Sequence, residues 1–213
     1  MDYSPGLRGV IAGETQISTV GMEGTSLRYR GYDAVGLTNT NTYEDVASLI
    51  IDDDLDGELF KKSFSNHYKK LSEDSGLIEL INRLKTEQHP MDVTRTAISY
   101  IGEANESNKL DAASKVTAIA CLAIASYNKE LSDVLDQKYT VASSLLPNSS
   151  TQQQLEALDD MLILYAEHGF NASTFAARVT ASTRSDLISA IVSGVGTLKG
   201  ELHGGANEAA VEL

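Results

Sequence analysis

Through most of the chain, apolar residues return at the spacing of one helix face and are separated by short polar or glycine-bearing stretches. The pattern predicts helices over about Tyr43–Ile51, Gly57–Leu71, Leu77–Lys85, Met91–Ala104, Ala112–Tyr127, Leu131–Leu145, Leu155–Glu167, Ser173–Thr183 and Asp186–Thr197. The N-terminal end reads differently. From Gly9 to Tyr32 the chain is rich in Gly, Thr, Val and Ile, and Gly21, Gly24 and Gly31 divide it into short runs, which predicts one or two small strands or an irregular arm. Several helix starts have a local cause: Thr151 with Gln154 fits a capping box, Pro90 suits a first helical turn, and Ser185 is a good N-cap ahead of Asp186. Few long loops remain, and no internal repeat or low-complexity tail is present. The expected fold is all-α, mainly helical, with a short N-terminal β arm. In the last two helices Ala, Ser and Thr are dense (ASTFAARVTASTRSD, then ISAIVSGVG), which suits close backbone approach. Small residues of this kind more often fill an ordinary core than an interface.

Composition narrows the function classes. A chain of 213 residues with 42% hydrophobic content can bury a sizeable core. The formal charge of −13, with no basic cluster, argues against a nucleic-acid partner. Cys121, the single cysteine, excludes an internal disulfide and sits in VTAIACLAIA, where a buried thiol is the default. That stretch is too short to span a bilayer, and MDYSPGLRGV has neither a signal-peptide hydrophobic run nor an Arg-rich transit pattern. No membrane association and a cytoplasmic location are therefore expected, and the sequons at Asn105, Asn148 and Asn171 carry no weight.

Some segments imitate chemistry. In DDDLDGE, Asp52, Asp54, Asp56 and Gly57 fall on EF-hand positions, but Ser63 stands where the closing bidentate Glu belongs, so a solvated acidic helix end is the better reading. GVGTLKG lacks the third glycine of a dinucleotide loop, since Lys199 takes its place, and it follows a helix pattern rather than a strand. His67 and His89 have no other metal ligand at useful spacing, so no metal site is expected. No GxSxG elbow is present either.

Two histidines remain, each beside a helix end and small residues. In ILYAEHGFNASTFAARV, His168 and Gly169 read as a helix terminus, and Asn171 or Ser173 can cap the next helix, whose free N–H groups suit an anionic ligand. In GELHGGANE, Gly204 and Gly205 let the backbone after His203 approach a ligand closely. Each fragment alone fits a structural histidine as well as a functional one.

Together these segments resemble the citrate synthase family. AGETQISTVG with LRYRGYD, HPMDVTRT, and LYAEHGFNASTFAARV add to the match, which runs in order from about Gly6 to the C-terminus. HPMD and the AGET arm resemble the 2-methylcitrate synthase branch more than the strict citrate branch. The resemblance implies a mainly helical enzyme, normally a homodimer, whose large domain and mobile small domain close over oxaloacetate and an acyl-CoA. Residues 1–197 would be the N-terminal part of the large domain, and 198–213 the beginning of a small domain that is truncated here. Acetyl-CoA or propionyl-CoA would be a substrate, and no cofactor is implied. The thioester is enolised, attacks the ketone of oxaloacetate, and the CoA ester formed is hydrolysed. Enolisation at neutral pH needs a prepositioned donor at the carbonyl oxygen, and losing one such donor costs about 10²–10³ in rate. By the family pattern His203 is that donor as a neutral imidazole, and Ser173 holds its other ring nitrogen. His168 binds oxaloacetate with Asn171 beside it, while Gly204 and Gly205 bring the loop near the substrates. Asn207 is either a further contact or a cap of the next helix.

The chain ends at Leu213, whereas family members continue. The expected remainder holds the aspartate base, a second catalytic histidine, the CoA-binding segment and the arginines that grip oxaloacetate. The chain alone is therefore expected not to catalyse the condensation without a complementing C-terminal part. Glu201 stands where relatives usually have proline, and a carboxylate two residues from His203 favours the imidazolium over a neutral donor. Two other readings stay open: a non-catalytic paralogue acting as a binding or regulatory subunit, and a citryl-CoA lyase-like module.

Overall fold

A computed structural model of the chain describes residues 12–21, 26–102, 104, 107–128 and 139–205. The N-terminal arm forms three two-residue strands, β1 (Ser18–Thr19), β2 (Arg28–Tyr29) and β3 (Tyr32–Asp33), paired antiparallel in that order. The sequence predicts one or two strands; the third arises because Gly31 at φ 91° and Arg30 at φ 48° make the tight turn that returns β3 onto β2.

Helices follow: α1 (Ala34–Thr38), α2 (Tyr43–Asp52), α3 (Glu58–Ser72), α4 (Ser75–Leu84), α5 (Pro90–Tyr100), α6 (Lys109–Ala125), α7 (Val141–Leu145), α8 (Gln152–Leu164), α9 (Ala172–Ser182) and α10 (Leu187–Leu198). The mainly helical prediction holds, with differences at particular ends. α1 has no counterpart in the prediction, because five residues are too few to display a helical period; Asp33 starts it by accepting the Gly36 N–H. α5 stops four residues short of the predicted Ala104, where Gly102 turns left-handed at φ 67°. α10 is capped by Asp186 rather than Ser185, since the Asp186 carboxylate accepts the Ser189 N–H. The capping box of Thr151 with Gln154 forms as read, and Pro90 occupies the first turn of α5. Of the segment predicted helical over Leu131–Leu145, residues 131–138 lie outside the described residues.

α6 is apolar around most of its circumference and runs through the larger core, with most of its faces covered. Phe60, Phe64, Tyr68 and Leu71 of α3 pack on it, and Val93, Ala97 and Ile98 of α5 cover another side. Cys121 is buried there. A smaller cluster of Tyr29, Ala34, Leu37, Val46, Leu49 and Ile163 ties the β arm to α1, α2 and α8. Although small residues more often fill a core, the Ala/Ser-rich α9 has no fully buried residue and α10 buries only Ile188 and Ala190. These two helices lie against one another near the surface: a Cβ on Gly194 would be in ordinary contact with Ser173 O and Ala177 Cβ.

The acidic stretch after α2 is consumed by backbone capping. Asp53 adopts φ 63°, Asp54 accepts the N–H of Asp56, and Asp56 accepts that of Glu58. Gly57 donates to Asp45 and lies so close to α2 that a Cβ would stand 2.5 Å from Asp45 N. Among the described residues no helix is long and apolar enough to cross a membrane.

Candidate functional site

The turn carrying His168 is fastened from below. Tyr29, fully buried on β2, donates its hydroxyl to the carbonyl of Ile163 at 2.8 Å and reaches that of Leu164 at 3.2 Å, which satisfies orphan carbonyls at the end of α8. Burial raises the Tyr29 phenol above its ordinary pKa, so it stays a donor. Next along the chain, Glu167 accepts the Ser18 hydroxyl at 2.5 Å and also the backbone N–H of Gly169. Gly169 has φ 70°, a left-handed value that glycine adopts without Cβ strain, and its α-carbon faces Val20 and Ser18 of the arm. The β arm, α8 and Glu167 thereby set the direction in which the chain leaves the helix. His168 is exposed on that turn, its ring 6.4 Å from that of Tyr165. Phe170 follows, with the Arg178 guanidinium 4.7 Å above its ring.

Asn171 then starts α9. Its Oδ1 accepts the Thr174 N–H at 2.8 Å and the Ser173 hydroxyl at 2.8 Å. Of the two caps the sequence allows, Asn171 is the one used, which leaves Ser173 inside the first turn with its N–H outside the cap and its hydroxyl bonded to Asn171.

α10 returns antiparallel to α9, ends at Leu198 and is C-capped by Lys199. Beyond it the chain folds back on the last turn: His203 N donates to Gly200 O at 2.9 Å, Gly204 N to Leu198 O at 2.9 Å, and Gly205 N to Gly200 O at 3.2 Å. A Cβ on Gly204 would collide with the Leu198 carbonyl oxygen. The close approach that this glycine permits in the structure is thus to α10 itself. Gly205 lies against the Gly200 carbonyl.

This fold-back delivers the half-buried His203 ring to the start of α9. Ser173 N donates to His203 Nε2 at 3.3 Å, and Ser173 Oγ lies 2.9 Å from the same nitrogen. A backbone N–H can only donate, so in that contact Nε2 presents its lone pair to α9 and the N–H of a neutral ring is on Nδ1; the single Ser173 hydroxyl proton then serves either Nε2 or Asn171 Oδ1. The geometry therefore joins His203, Ser173 and Asn171 into one hydrogen-bonded chain, with His168 and Asn171 on the same short turn. Asn207 lies outside the described residues. Glu201 is exposed.

Two arrangements escape sequence reasoning. His67 Nε2 lies 2.9 Å from Asp111, which also accepts the Ser63 hydroxyl at 2.5 Å, so this histidine has a carboxylate partner 44 positions away. The Ser63 bond and the His67 contact hold the Asp111 carboxyl below its ordinary range. Lys199 meets Asp92 across 107 positions. Neither pairing leaves a local signal.

A family model described as citrate synthase, C-terminal domain, matches residues 6–213. The chain is 41% identical over 228 residues to a 2-methylcitrate synthase of Shewanella oneidensis, an alignment covering 98% of this chain and 59% of that protein. A crystal structure of citrate synthase from Thermotoga maritima superposes with a TM-score of 0.79 at 28% identity, covering 96% of this chain and 58% of that one. The fold also matches, at a TM-score of 0.81 and 24% identity, a Thermoplasma acidophilum citrate synthase in ternary complex with carboxymethyl coenzyme A and oxaloacetate; that match covers 99% of this chain and 60% of the other. The chain spans about three fifths of the length of the curated relatives it matches.

Proposed function

We infer that this chain, which belongs to the citrate synthase family, takes part in joining an acyl-CoA to oxaloacetate. Propionyl-CoA is the acyl donor we favour, giving 2-methylcitrate, with acetyl-CoA and citrate as the counterpart. Support for the propionyl form comes from the relative named 2-methylcitrate synthase. In this reading residues 1–197 belong to the large domain and residues 198–213 open the small one, and the partner is a second copy of the chain. No resident cofactor takes part.

The observation that carries the reading is the hold of Ser173 on His203 Nε2. It leaves Nδ1–H as the donor that the ring can offer to a thioester carbonyl. As the α-proton leaves, negative charge gathers on that oxygen, and a donor already fixed in direction stabilises it without reorganising at the moment of reaction. Ser173 keeps the imidazole from rotating and Asn171 orders the start of α9 beneath it. His168, fixed by the Tyr29 and Glu167 contacts, is the residue we assign to oxaloacetate. The general base and the cationic grip on the oxaloacetate carboxylates are functions we assign to the portion of the family's length that this chain does not span.

The test is thiol release from propionyl-CoA and acetyl-CoA with oxaloacetate, with the chain alone and with a polypeptide supplying the rest of a relative's length. Turnover in the complemented sample that disappears in His203→Ala supports the reading. Turnover that His203→Ala leaves unchanged removes the imidazole from the mechanism.

A further inference from the structure

We propose that Lys199 and Asp92 form a positioning pair for His203, an anchor that locks the last turn of α10 against the first turn of α5 and so fixes the loop that carries the imidazole. The proposal rests on the role given to His203 above and extends it to two residues on other elements.

The loop from Gly200 to Gly205 has little of its own to hold it. Leu202 is 99% exposed and contributes no packing, and Glu201 is exposed as well. What shapes the loop is backbone hydrogen bonding to two carbonyls, those of Leu198 and Gly200, which accept from residues 203, 204 and 205. Lys199 stands between these two acceptors. Whatever fixes residue 199 therefore fixes the frame on which the His203 backbone is hung, and among the described residues Ser173 holds the ring itself.

Lys199 is fixed from outside its helix. Its Nζ lies 2.5 Å from Asp92 Oδ2, and the other carboxylate oxygen of Asp92 takes Arg95 Nη2 at 2.9 Å. Arg95 lies against Gly196, one turn before Lys199, where a side chain would meet its guanidinium. Asp92 thus grips α10 twice, directly and through an arginine laid over the same turn. Both charges sit where helix dipoles favour them, the ammonium at the C-terminal end of α10 and the carboxylate in the first turn of α5. The Lys199 hydrogen bond is the leading cause that holds the Asp92 carboxyl below its ordinary range. Side-chain exposures of 39% for Lys199 and 20% for Asp92 make the pair a weak contributor to global stability. A change at this pair should therefore move the His203 ring while leaving the fold standing.

The chain labelled with 15N in its four histidines gives the measurement, through two-bond proton–nitrogen correlations of the rings, with His203 assigned by its loss in His203→Gln. In the parent chain His203 is expected to show the single Nδ1–H tautomer. Lys199→Met and Asp92→Asn are expected to replace it with an averaged pattern while the other three rings keep theirs, and Lys199→Arg is expected to restore the parent pattern. In a complemented enzyme, Lys199→Met is expected to lower kcat by on the order of 10-fold to 10²-fold at unchanged KM for oxaloacetate. A His203 pattern that is the same in the parent, Lys199→Met and Asp92→Asn overturns the proposal. So does simultaneous collapse of all the histidine signals, which would assign the pair to general stability. A perturbed His203 ring in a protein that never turns over, even when complemented, counts against the proposed reaction and not against the anchor. An unperturbed ring in an active enzyme does the reverse.

Discussion

Asp159 of α8 accepts the backbone N–H of Tyr43, the first residue of α2, at 3.0 Å, so a carboxylate on one helix closes the start of another. One residue further along α2, Glu44 does the same for α7, accepting the Val141 N–H at 2.7 Å. Burial is the main cause that raises the Asp159 pKa to about 6; the Tyr43 N–H opposes it, and Glu44, Asp160 and Asp45 add to it. An acid whose folded pKa lies above its unfolded value binds its proton more tightly in the folded state. The folded state therefore gains stability as pH falls from about 6 toward 4, and at neutral pH the ionised carboxylate is a cost. Asp159→Asn keeps an acceptor for Tyr43 and removes the charge. It is expected to stabilise the fold at pH 7.5 by roughly 1–2 kcal/mol after allowing for solvent screening, read as a higher unfolding temperature, and to lose most of that advantage by pH 4.5. Thermal melts at the two pH values check this; an equal difference at both would refute it.

Glu44 itself is 1% exposed, and its second carboxylate oxygen has no hydrogen-bond partner among the described residues. Glu44→Ala strands the Val141 N–H in a buried position, an expected loss of about 1–3 kcal/mol. Glu44→Gln keeps an acceptor for Val141 and is expected to lose less. Urea unfolding of the two variants ranks them, and a glutamine variant weaker than the alanine one would show that the N–H bond is not what the side chain supplies.

Gly57 marks a place where backbone meets backbone. A Cβ there would stand 2.5 Å from both Asp45 N and Glu44 C, neither of which can swing aside. Gly57→Ala is expected to destabilise the whole chain by about 1–3 kcal/mol, read as a drop in unfolding midpoint. An unchanged midpoint would mean that the α2–α3 junction relaxes freely.

Which of these features were legible beforehand follows from their range along the chain. The capping box of Thr151 and Gln154 is complete within four residues, and the sequence displays it. The start of α10 is ambiguous in sequence because Ser185 and Asp186 are both good caps, and the choice is made by the position of the Ser189 N–H in three dimensions. Asn171 and Ser173 can be read as helix-start residues from their own neighbourhood. That His203 rests on Ser173, 30 positions away, is implied by family resemblance alone, since nothing in the period or spacing of either segment requires it. Pairings such as His67 with Asp111 or Lys199 with Asp92 join surfaces of different helices, and a single sequence carries no record of which helices meet.

Ser173 offers His203 two contacts that substitution can separate. Ser173→Ala removes the hydroxyl and keeps the backbone N–H, so Nε2 retains one partner and the ring keeps its tautomer with a looser hold. His203→Ala removes the donor itself. In a complemented enzyme, the histidine variant is expected to lose about 10²–10³ or more in kcat, and the serine variant less. Equal losses would mean that the hydroxyl, rather than the backbone N–H, dictates which ring nitrogen faces the substrate.

Gly204 separates local from global effects at the same site. Its N–H donates to Leu198 O at 2.9 Å, and a Cβ there would collide with that same oxygen. Gly204→Ala must therefore lift the loop off the end of α10, breaking the bond that brings residue 203 back toward α9. Because residues 200–205 lie beyond the main core clusters, the unfolding midpoint is expected to move little, in contrast to Gly57→Ala. The His203 contact with Ser173 is expected to be lost, and with it the single-tautomer signal of the ring. Measuring both quantities on one sample decides the matter: a midpoint drop as large as that of Gly57→Ala, with the His203 signal intact, would place Gly204 in the stability of the fold instead of the geometry of the imidazole.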